Sequence, residues 1–218
     1  MARVFRQLAL AFALLTLLPA AGRAAPLALE GGWLNSSLTF GGPTFEDRGY
    51  DINGLLLYGI DIAPCDCIED VFFTAGGGSL VSKTSAAGQT VWRYEGGTFS
   101  LRFENSVDPF FTAPIASVEI SVSEPVEPDA FLIVWYELGP GLFDAAFAAL
   151  HGVPVQTGSG LMDESMILWE GDAQSTELLA DEGGGNLSVN APDVPEPALS
   201  VLVGLGLAAV VRARSRKS

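Results

Sequence analysis

Short segments of alternating polarity, separated by glycine, recur along the middle of this chain. In Thr98–Glu104 (TFSLRFE), every second residue is aromatic or aliphatic and the residues between are polar. Ile115–Val122 (IASVEISV) has the same pattern, with Ala116 on the apolar face. A period of two places alternate side chains on opposite faces of a β-strand, whereas an amphipathic helix requires a period near 3.6. The middle of the chain is therefore predicted to be a β structure.

Other stretches complete the predicted set of strands. Leu55–Ile62 and Phe131–Tyr136 are almost continuously apolar, which predicts strands covered on both faces. Gly96-Gly97 separates VWRYE from Thr98–Glu104 and predicts a tight hairpin, because glycine readily adopts a positive φ. Further strands are predicted at Leu34–Phe40, Val71–Thr74, Leu80–Lys83, Met166–Glu170 and Leu187–Asn190.

One segment, Gly141–Gly152 (GLFDAAFAALHG), has helical spacing. Phe143 and Phe147 are four residues apart, and Gly152 is a typical helix stop. The helix is predicted to pack across an open end or edge of the sheets. His151 falls at its C-terminal end, where a positive charge is favourable, so a structural role is predicted for it.

Several strands and one helix predict an all-β fold, a single jelly-roll-like β-sandwich with one short helix. The predicted boundaries are a signal peptide at 1–25, an acidic β-sandwich domain at 26–182 and a Gly/Pro-rich tether at 183–193. A C-terminal transmembrane sorting segment is predicted at 194–218. The tether is predicted to begin at Gly183-Gly184-Gly185.

The charge of the central domain limits its partners. Between Pro26 and Asp193, four basic residues stand against 25 acidic ones, a net charge of -21. A surface without a basic stripe repels the phosphates of nucleic acids and the headgroups of anionic lipids. Nucleic-acid binding is therefore excluded as an expected function.

The N-terminal segment has the organisation of a secretory signal peptide. Arg3 and Arg6 precede an 11-residue apolar run, Leu8–Leu18, and Gly22-Arg23-Ala24 provides a workable cleavage site. A membrane span needs about 20 apolar residues, so this run is too short for a stable anchor. The pattern predicts export through the Sec translocon and removal by signal peptidase.

The C-terminal segment combines three features. Val194-Pro195-Glu196-Pro197 is stiffened by its prolines, and the apolar run Ala198–Val211 follows directly. As a helix, 14 residues extend about 21 Å, which is short for a bilayer core about 30 Å thick. A stop-transfer basic cluster follows the run and favours the cytoplasmic side; it consists of Arg212, Arg214, Arg216 and Lys217.

This combination resembles the PEP-CTERM sorting signal of Gram-negative bacteria, and the resemblance covers about the last 25 residues. It implies that a membrane-embedded exosortase recognises Val194–Pro197 and removes the tail during passage through the inner membrane. It also implies a location at the cell surface or in the extracellular matrix, associated with exopolysaccharide and biofilm. The alternative is an ordinary tail anchor preceded by a proline-rich linker.

Cys65 and Cys67 form the most unusual local feature, with one residue between them. A local disulfide, free or intermolecular thiols, and a metal or redox role remain alternatives, because a ring this small strains the bridge. Acidic residues around the pair supply the oxygen ligands that calcium prefers; they are Asp61, Asp66, Glu69 and Asp70. A solvated acidic loop is the simpler interpretation, and no cofactor is expected.

Three functions follow as hypotheses. The first is a non-enzymatic surface or matrix protein associated with exopolysaccharide. The second is a carbohydrate-binding module, with or without calcium, that uses an exposed tryptophan such as Trp92. The third is a hydrolase of matrix glycans that uses two carboxyl groups. Most of the candidate aromatic residues are predicted to lie in the core; they are Trp33, Trp92, Trp135, Trp169, Tyr50, Tyr58 and Tyr94.

Overall fold

The computed structural model of the protein describes residues 27–33, 35–50, 52–62 and 71–192. Over these residues the protein is mostly β, with 14 strands and one short helix, and the predicted all-β class is confirmed. The predicted signal peptide and sorting segment lie outside the described residues. None of the helical structure in the described ranges has the length and apolarity of a membrane-spanning helix.

The strands follow one another along the chain with short connections. They are β1 (Leu27–Trp33), β2 (Asn35–Phe40), β3 (Glu46–Tyr50), β4 (Asn53–Leu57), β5 (Ile60–Asp61), β6 (Val71–Gly76), β7 (Ser79–Ala86), β8 (Gln89–Glu95), β9 (Thr98–Phe103), β10 (Phe111–Ser123), β11 (Phe131–Leu138), β12 (Leu142–Phe143), β13 (Gly160–Glu170) and β14 (Leu178–Asn190). Helix α1 (Ala145–His151) lies between β12 and β13.

Eight of these strands pair into a closed antiparallel ring. Its order is β13-β11-β10-β9-β6-β3-β2-β14, and β14 pairs again with β13. β1, β4 and β5 extend the sheet from β14, while β8 and β7 extend it from β10. Closure satisfies the hydrogen bonds on both sides of each strand in the ring.

Two long strands carry the ring from one layer to the other. The first part of β10, Phe111–Pro114, pairs with β9, whereas Ser117–Ser123 pairs with β8 and β11. In β14, Leu178–Ala180 pairs with β2, whereas Gly185–Asn190 pairs with β1. The sheet is therefore closed and sandwich-like, with its core between two layers.

The core between the layers is strongly aromatic. Phe40 of β2 contacts Trp92 of β8 edge-on, with ring centroids 5.2 Å apart. Trp33 and Phe99 both pack on Phe73 of β6, at 4.7 and 5.8 Å. The Phe40–Trp92 and Trp33–Phe73 contacts join opposite layers and fix the separation of the sheets, whereas Phe73 and Phe99 lie on the paired strands β6 and β9.

Helix α1 is shorter than the predicted Gly141–Gly152 segment. Leu142 and Phe143 form β12 instead, and the Asp144 side chain caps the helix by accepting hydrogen bonds from the next turn. Gly152 ends the helix in the left-handed conformation, as predicted. Phe147 anchors the helix on a cluster of phenylalanines, 4.8 Å from Phe110. His151 lies in the last turn, as predicted.

Two predicted connections are wrong. The Leu55–Ile62 run is not one strand, because a turn at Tyr58-Gly59, with φ of 50° and 78°, separates β4 from β5. Positive φ at both turn positions is the type I′ geometry, which a tyrosine gives no reason to expect. Gly96 and Gly97 do have positive φ, but β8 and β9 do not pair with each other. The Gly-Gly link instead takes the chain from β8 in one layer to β9 in the other.

A β-bulge changes one predicted face of β10. The predicted apolar face included Ala116, yet Ala116 is exposed and Ile115 is buried. The pairing of β10 with β11 shifts between Ile115 and Ser117, so the alternation of faces changes there. From Val118 onward the predicted alternation is confirmed.

The predicted tether at 183–193 is wrong over most of its length. Gly183, Gly184 and Gly185 lie inside β14, which continues to Asn190. A Cβ atom on Gly185 would lie 2.0 Å from the carbonyl oxygen of Asp163, and one on Gly183 would lie 2.4 Å from Oγ of Ser36. These glycines permit close packing, so the β domain extends beyond residue 182.

Candidate functional site

The outer surface of one layer is a broad face made by β8, β10, β11, β13 and β14. Alternate residues of these strands face inward and are buried, so their neighbours face outward. The strand register aligns one outward residue from each strand across the centre of this surface. We call this surface the Trp135 face; its central row is Arg93, Glu119, Trp135, Asp163 and Asn186.

Large apolar side chains are exposed on the Trp135 face. Trp135 is 52% exposed, Leu161 57% and Phe131 48%. The predicted coverage of Phe131–Tyr136 on both faces is therefore wrong, since only one face of β11 is buried. Clustered apolar side chains at a surface are more informative than single ones, because they mark a site of contact with another molecule.

A shallow groove of about 300 Å³ runs beside Trp135 and has a polar wall. Within it, Oγ of Ser117 donates a hydrogen bond of 2.9 Å to Oε2 of Glu137. At its far side, Arg93 forms an ion pair of 3.6 Å with Glu95. The groove therefore offers an indole surface, a hydroxyl and several carboxylate oxygens to one ligand.

Glu119 and Asp163 flank the exposed indole. Each lies directly opposite Trp135 on a neighbouring strand, Glu119 on β10 and Asp163 on β13. Residues opposed in this way have Cβ atoms about 5 Å apart. Within the described part of the chain, neither carboxylate forms a side-chain hydrogen bond or an ion pair. Both remain available to a ligand that covers Trp135.

The other candidate aromatic residues lie in different environments. Trp92, suggested as an exposed sugar-binding residue, is fully buried, so that suggestion is wrong. Trp33 and Tyr94 are also buried, as predicted for most of the set, and Tyr58 packs against the core. The alternation in VWRYE places Trp92 and Tyr94 on the inner face of β8 and Arg93 on the outer face. Trp169, like Trp135, is exposed.

A buried polar cluster lies directly beneath the Trp135 face. The Tyr136 hydroxyl, from β11, donates a hydrogen bond to Oδ2 of Asp47 in β3. Nε1 of Trp33, from β1, donates a hydrogen bond of 2.7 Å to Oε1 of Glu164 in β13. Asp47 and Glu164 are fully buried, so we call these four residues the buried acidic cluster.

The two carboxyl groups of the buried acidic cluster favour retention of a proton. Burial raises the pKa of Asp47 well above its ordinary value, and the charge of Glu164 and a hydrogen bond with it add to this. Burial also raises the pKa of Glu164, although hydrogen bonds from Asp47 and Trp33 partly oppose the effect. The Oδ1 atom of Asp47 and the Oε2 atom of Glu164 have no other hydrogen-bond partner. A proton on Asp47 that is donated to Glu164 satisfies both oxygens.

Sequence reasoning missed the buried acidic cluster, although a sequence pattern marks Glu164. Glu164 lies between Met162 and Met166 at an inward position of β13, and Asp47 is an inward residue of β3. A carboxylate at a core position of an alternating strand indicates a buried hydrogen-bonded group. The cluster links β3 in one layer to β11 and β13 in the other, so its hydrogen bonds hold the two layers together.

Most site residues predicted from sequence lie outside the described residues. These are Cys65, Cys67, Asp66, Glu69, Asp70, Val194, Pro195, Glu196, Pro197, Arg212, Arg214, Arg216 and Lys217. Asp61 is exposed in the short strand β5. In residues 27–33, 35–50, 52–62 and 71–192, no group of three or more His, Cys, Asp or Glu side chains is placed to hold a metal ion.

Comparisons with known proteins find no match to this chain among protein-family models, curated proteins or solved structures.

Proposed function

We propose that this protein is an exported bacterial surface or extracellular-matrix protein that is processed by exosortase and associated with exopolysaccharide. Two sequence features support the proposal. One is the secretory pattern of residues 1–25, and the other is the sorting motif Val194–Pro197, which is followed by an apolar run and a basic cluster. The placement of the motif is also suitable, because the last strand of the β domain ends at Asn190. We further assign the closed two-layer domain to jelly-roll-like sandwiches.

The domain acts by binding rather than catalysis in this proposal. A glycan hydrolase needs two carboxyl groups that reach the scissile bond. Among residues 27–33, 35–50, 52–62 and 71–192, the two carboxyl groups with raised pKa are Asp47 and Glu164, and both are fully buried and cannot contact a polysaccharide. The surface carboxylates of Glu119 and Asp163 flank an exposed indole, an arrangement suited to holding a ligand.

Processing can be tested by the intact mass of the protein exported from a host that contains exosortase. We expect a mass that begins after the signal peptide and ends between Pro195 and Ala198, plus any attached polymer. The same host without exosortase serves as the control and should retain the full tail. A mass that includes Ala198–Ser218 in the exosortase-bearing host would make the protein an ordinary tail-anchored one.

The observation that favours a second, more specific function is the exposed Trp135 at the centre of a flat face. Indole surfaces stack on the apolar faces of sugar rings, while neighbouring polar groups bind the hydroxyls. Phe131 lies four residues along the same strand, about 13 Å away at the rise of a β-strand. A chain of several sugar rings can contact both aromatic groups, so the face suits a polysaccharide. We therefore propose carbohydrate binding through the Trp135 face.

Replacing Trp135 by alanine should weaken glycan affinity about tenfold or more, because the stacking surface is lost while the fold is kept. The measurement is titration calorimetry with the best glycan from a panel of soluble polysaccharides. Leu150→Ala is the matched control, since Leu150 is 81% exposed on helix α1 and lies off the face. Equal affinity of Trp135→Ala and the unaltered protein would remove this face from the proposal.

A further inference from the structure

We propose that the ligand of the Trp135 face is a glycan with free amino groups, such as a polymer of unacetylated glucosamine. This inference rests on the proposed carbohydrate binding and adds the chemical class of the sugar. The inference is based on the carboxylates around the Trp135 indole and on their positions relative to the ring.

The Trp135 face has an excess of negative charge. Four carboxylates lie in and around the groove, those of Glu95, Glu119, Glu137 and Asp163, and Arg93 is the one basic residue among them. Arg93 already forms an ion pair with Glu95. Four carboxylates against one guanidinium leave a net charge of -3, so the face attracts a cationic ligand and repels glycans rich in uronic acids.

The position of these carboxylates fits an ammonium group held over the indole. Glu119 and Asp163 lie on opposite sides of Trp135, and each is its direct partner on an adjacent strand. An ammonium group above an indole is attracted by the negative face of the ring. The two flanking carboxylates then accept hydrogen bonds from its N–H groups, so the same sugar gains stacking, cation–π contact and charge-assisted hydrogen bonds.

Further polar and apolar groups extend the site along β11 and its neighbours. Glu137 is held by the Ser117 hydroxyl, and Asn186 continues the central row beyond Asp163. The exposed Phe131 and Leu161 provide apolar contacts on either side of the central row. A single sugar cannot span these positions, so an oligomer should bind more tightly than the monosaccharide.

A second copy of the chain is a poor occupant for this face. A symmetric dimer would place two surfaces of the same negative charge against each other. A flat surface with interleaved hydroxyl, amide and carboxylate groups also suits the many hydroxyls of a glycan. These considerations favour the amino-sugar polymer as the occupant.

The test compares two hexamers of one backbone, fully deacetylated glucosamine and fully acetylated N-acetylglucosamine. Titration of the exported protein at pH 6 and low salt should show at least tenfold tighter binding of the deacetylated hexamer. Added salt should reduce that advantage, because screening weakens exposed charge interactions. Glu119→Gln and Asp163→Asn should each weaken the deacetylated hexamer several-fold and leave the acetylated one unchanged. Glu127→Gln, an exposed charge change away from the face, is the matched control.

The outcomes separate the inference from the function on which it rests. Equal affinity for the two hexamers, or insensitivity to Glu119→Gln and Asp163→Asn, would overturn the amino-sugar inference and leave carbohydrate binding intact. Tighter binding of an acidic polygalacturonate would overturn it too. Failure of every glycan in the panel would reject both proposals. Concentration-dependent dimerisation abolished by Trp135→Ala, without glycan binding, would identify a second copy as the occupant and reject the inference.

Discussion

Asp47→Ala is expected to lower the free energy of unfolding by about 3 kcal/mol at pH 7. The substitution removes the acceptor of the Tyr136 hydroxyl and the hydrogen-bond partner of Glu164, and both groups remain buried. Each buried polar group left without a partner costs about 1–3 kcal/mol, and the space left by the side chain adds to this. Urea denaturation of the two proteins measures the difference. A loss below about 1 kcal/mol would contradict the role assigned to the buried acidic cluster.

Asp47→Asn separates hydrogen bonding from protonation. The amide oxygen can accept from Tyr136, and the amide N–H₂ can donate to Glu164 without a titrating proton. This variant should therefore retain most of the stability that Asp47→Ala loses. Retention by asparagine together with loss by alanine is the expected pattern.

The same pair of proteins should differ in pH dependence. Because the pKa of Asp47 is higher in the folded than in the unfolded protein, the folded state keeps a proton that the unfolded state releases above about pH 4. The stabilisation is complete below the pKa of the unfolded state and is lost as pH rises through the pKa of the folded state. Each unit of difference is worth about 1.4 kcal/mol.

We therefore expect melting temperatures between pH 5 and pH 8 to fall more steeply for the unaltered protein than for Asp47→Asn. Repulsion among the surface carboxylates also changes with pH, but it is the same in both proteins. The difference between the two slopes thus reports the buried proton. Parallel slopes would show that Asp47 does not hold one.

Gly185→Ala is expected to destabilise the protein by about 3 kcal/mol, at the upper end of the cost of overpacking. The new Cβ would lie 2.0 Å from the carbonyl oxygen of Asp163 and 2.8 Å from the ring of Trp33. The carbonyl belongs to the paired strand β13 and cannot move without disrupting the sheet. Thermal unfolding of the variant should show a clearly lowered midpoint. Residues of the Trp135 face that lie on β13, such as Asp163, would shift with that strand.

Gly32→Ala is the matched control for this prediction. Gly32 lies one strand away on β1, and a Cβ there would meet nothing closer than 3.3 Å, the carbonyl oxygen of Gly185. Alanine is also the better strand residue, so the stability of this variant should change by less than about 1 kcal/mol. Similar losses in Gly185→Ala and Gly32→Ala would refute the steric explanation.

The fold class could be predicted because alternation is a local property. Thr98–Phe103 and Val118–Ser123 have one apolar and one polar face in the sequence, and the structure buries the apolar one. The stop of helix α1 at Gly152 is likewise marked by a single residue. The partner of each strand is set by contacts distant in sequence, and Gly96-Gly97 illustrates this, since positive φ alone does not determine which strands pair.

The candidate site was harder to predict because apolar residues occupy both faces of β11. In FLIVWYEL, either register looks buried, and the neighbours β10 and β13 decide that Trp135 faces outward. Glycines caused the opposite error, since Gly183–Gly185 have the composition of a linker yet lie against Trp33 and Ser36. Only the packing distinguishes a glycine that permits motion from one that permits close approach.

The position of β14 in the ring also determines when the domain can form. β14 is the last described strand, and it pairs with β1, β2 and β13, so residues as far apart as Leu27 and Asn190 are neighbours. A ribosome releases β1 and β2 long before their partner has been synthesised. Until β14 is available, these strands have open edges that can pair with other chains. The ring can therefore close only once the chain as far as Asn190 is present, and truncation before Leu178 would yield an aggregation-prone chain.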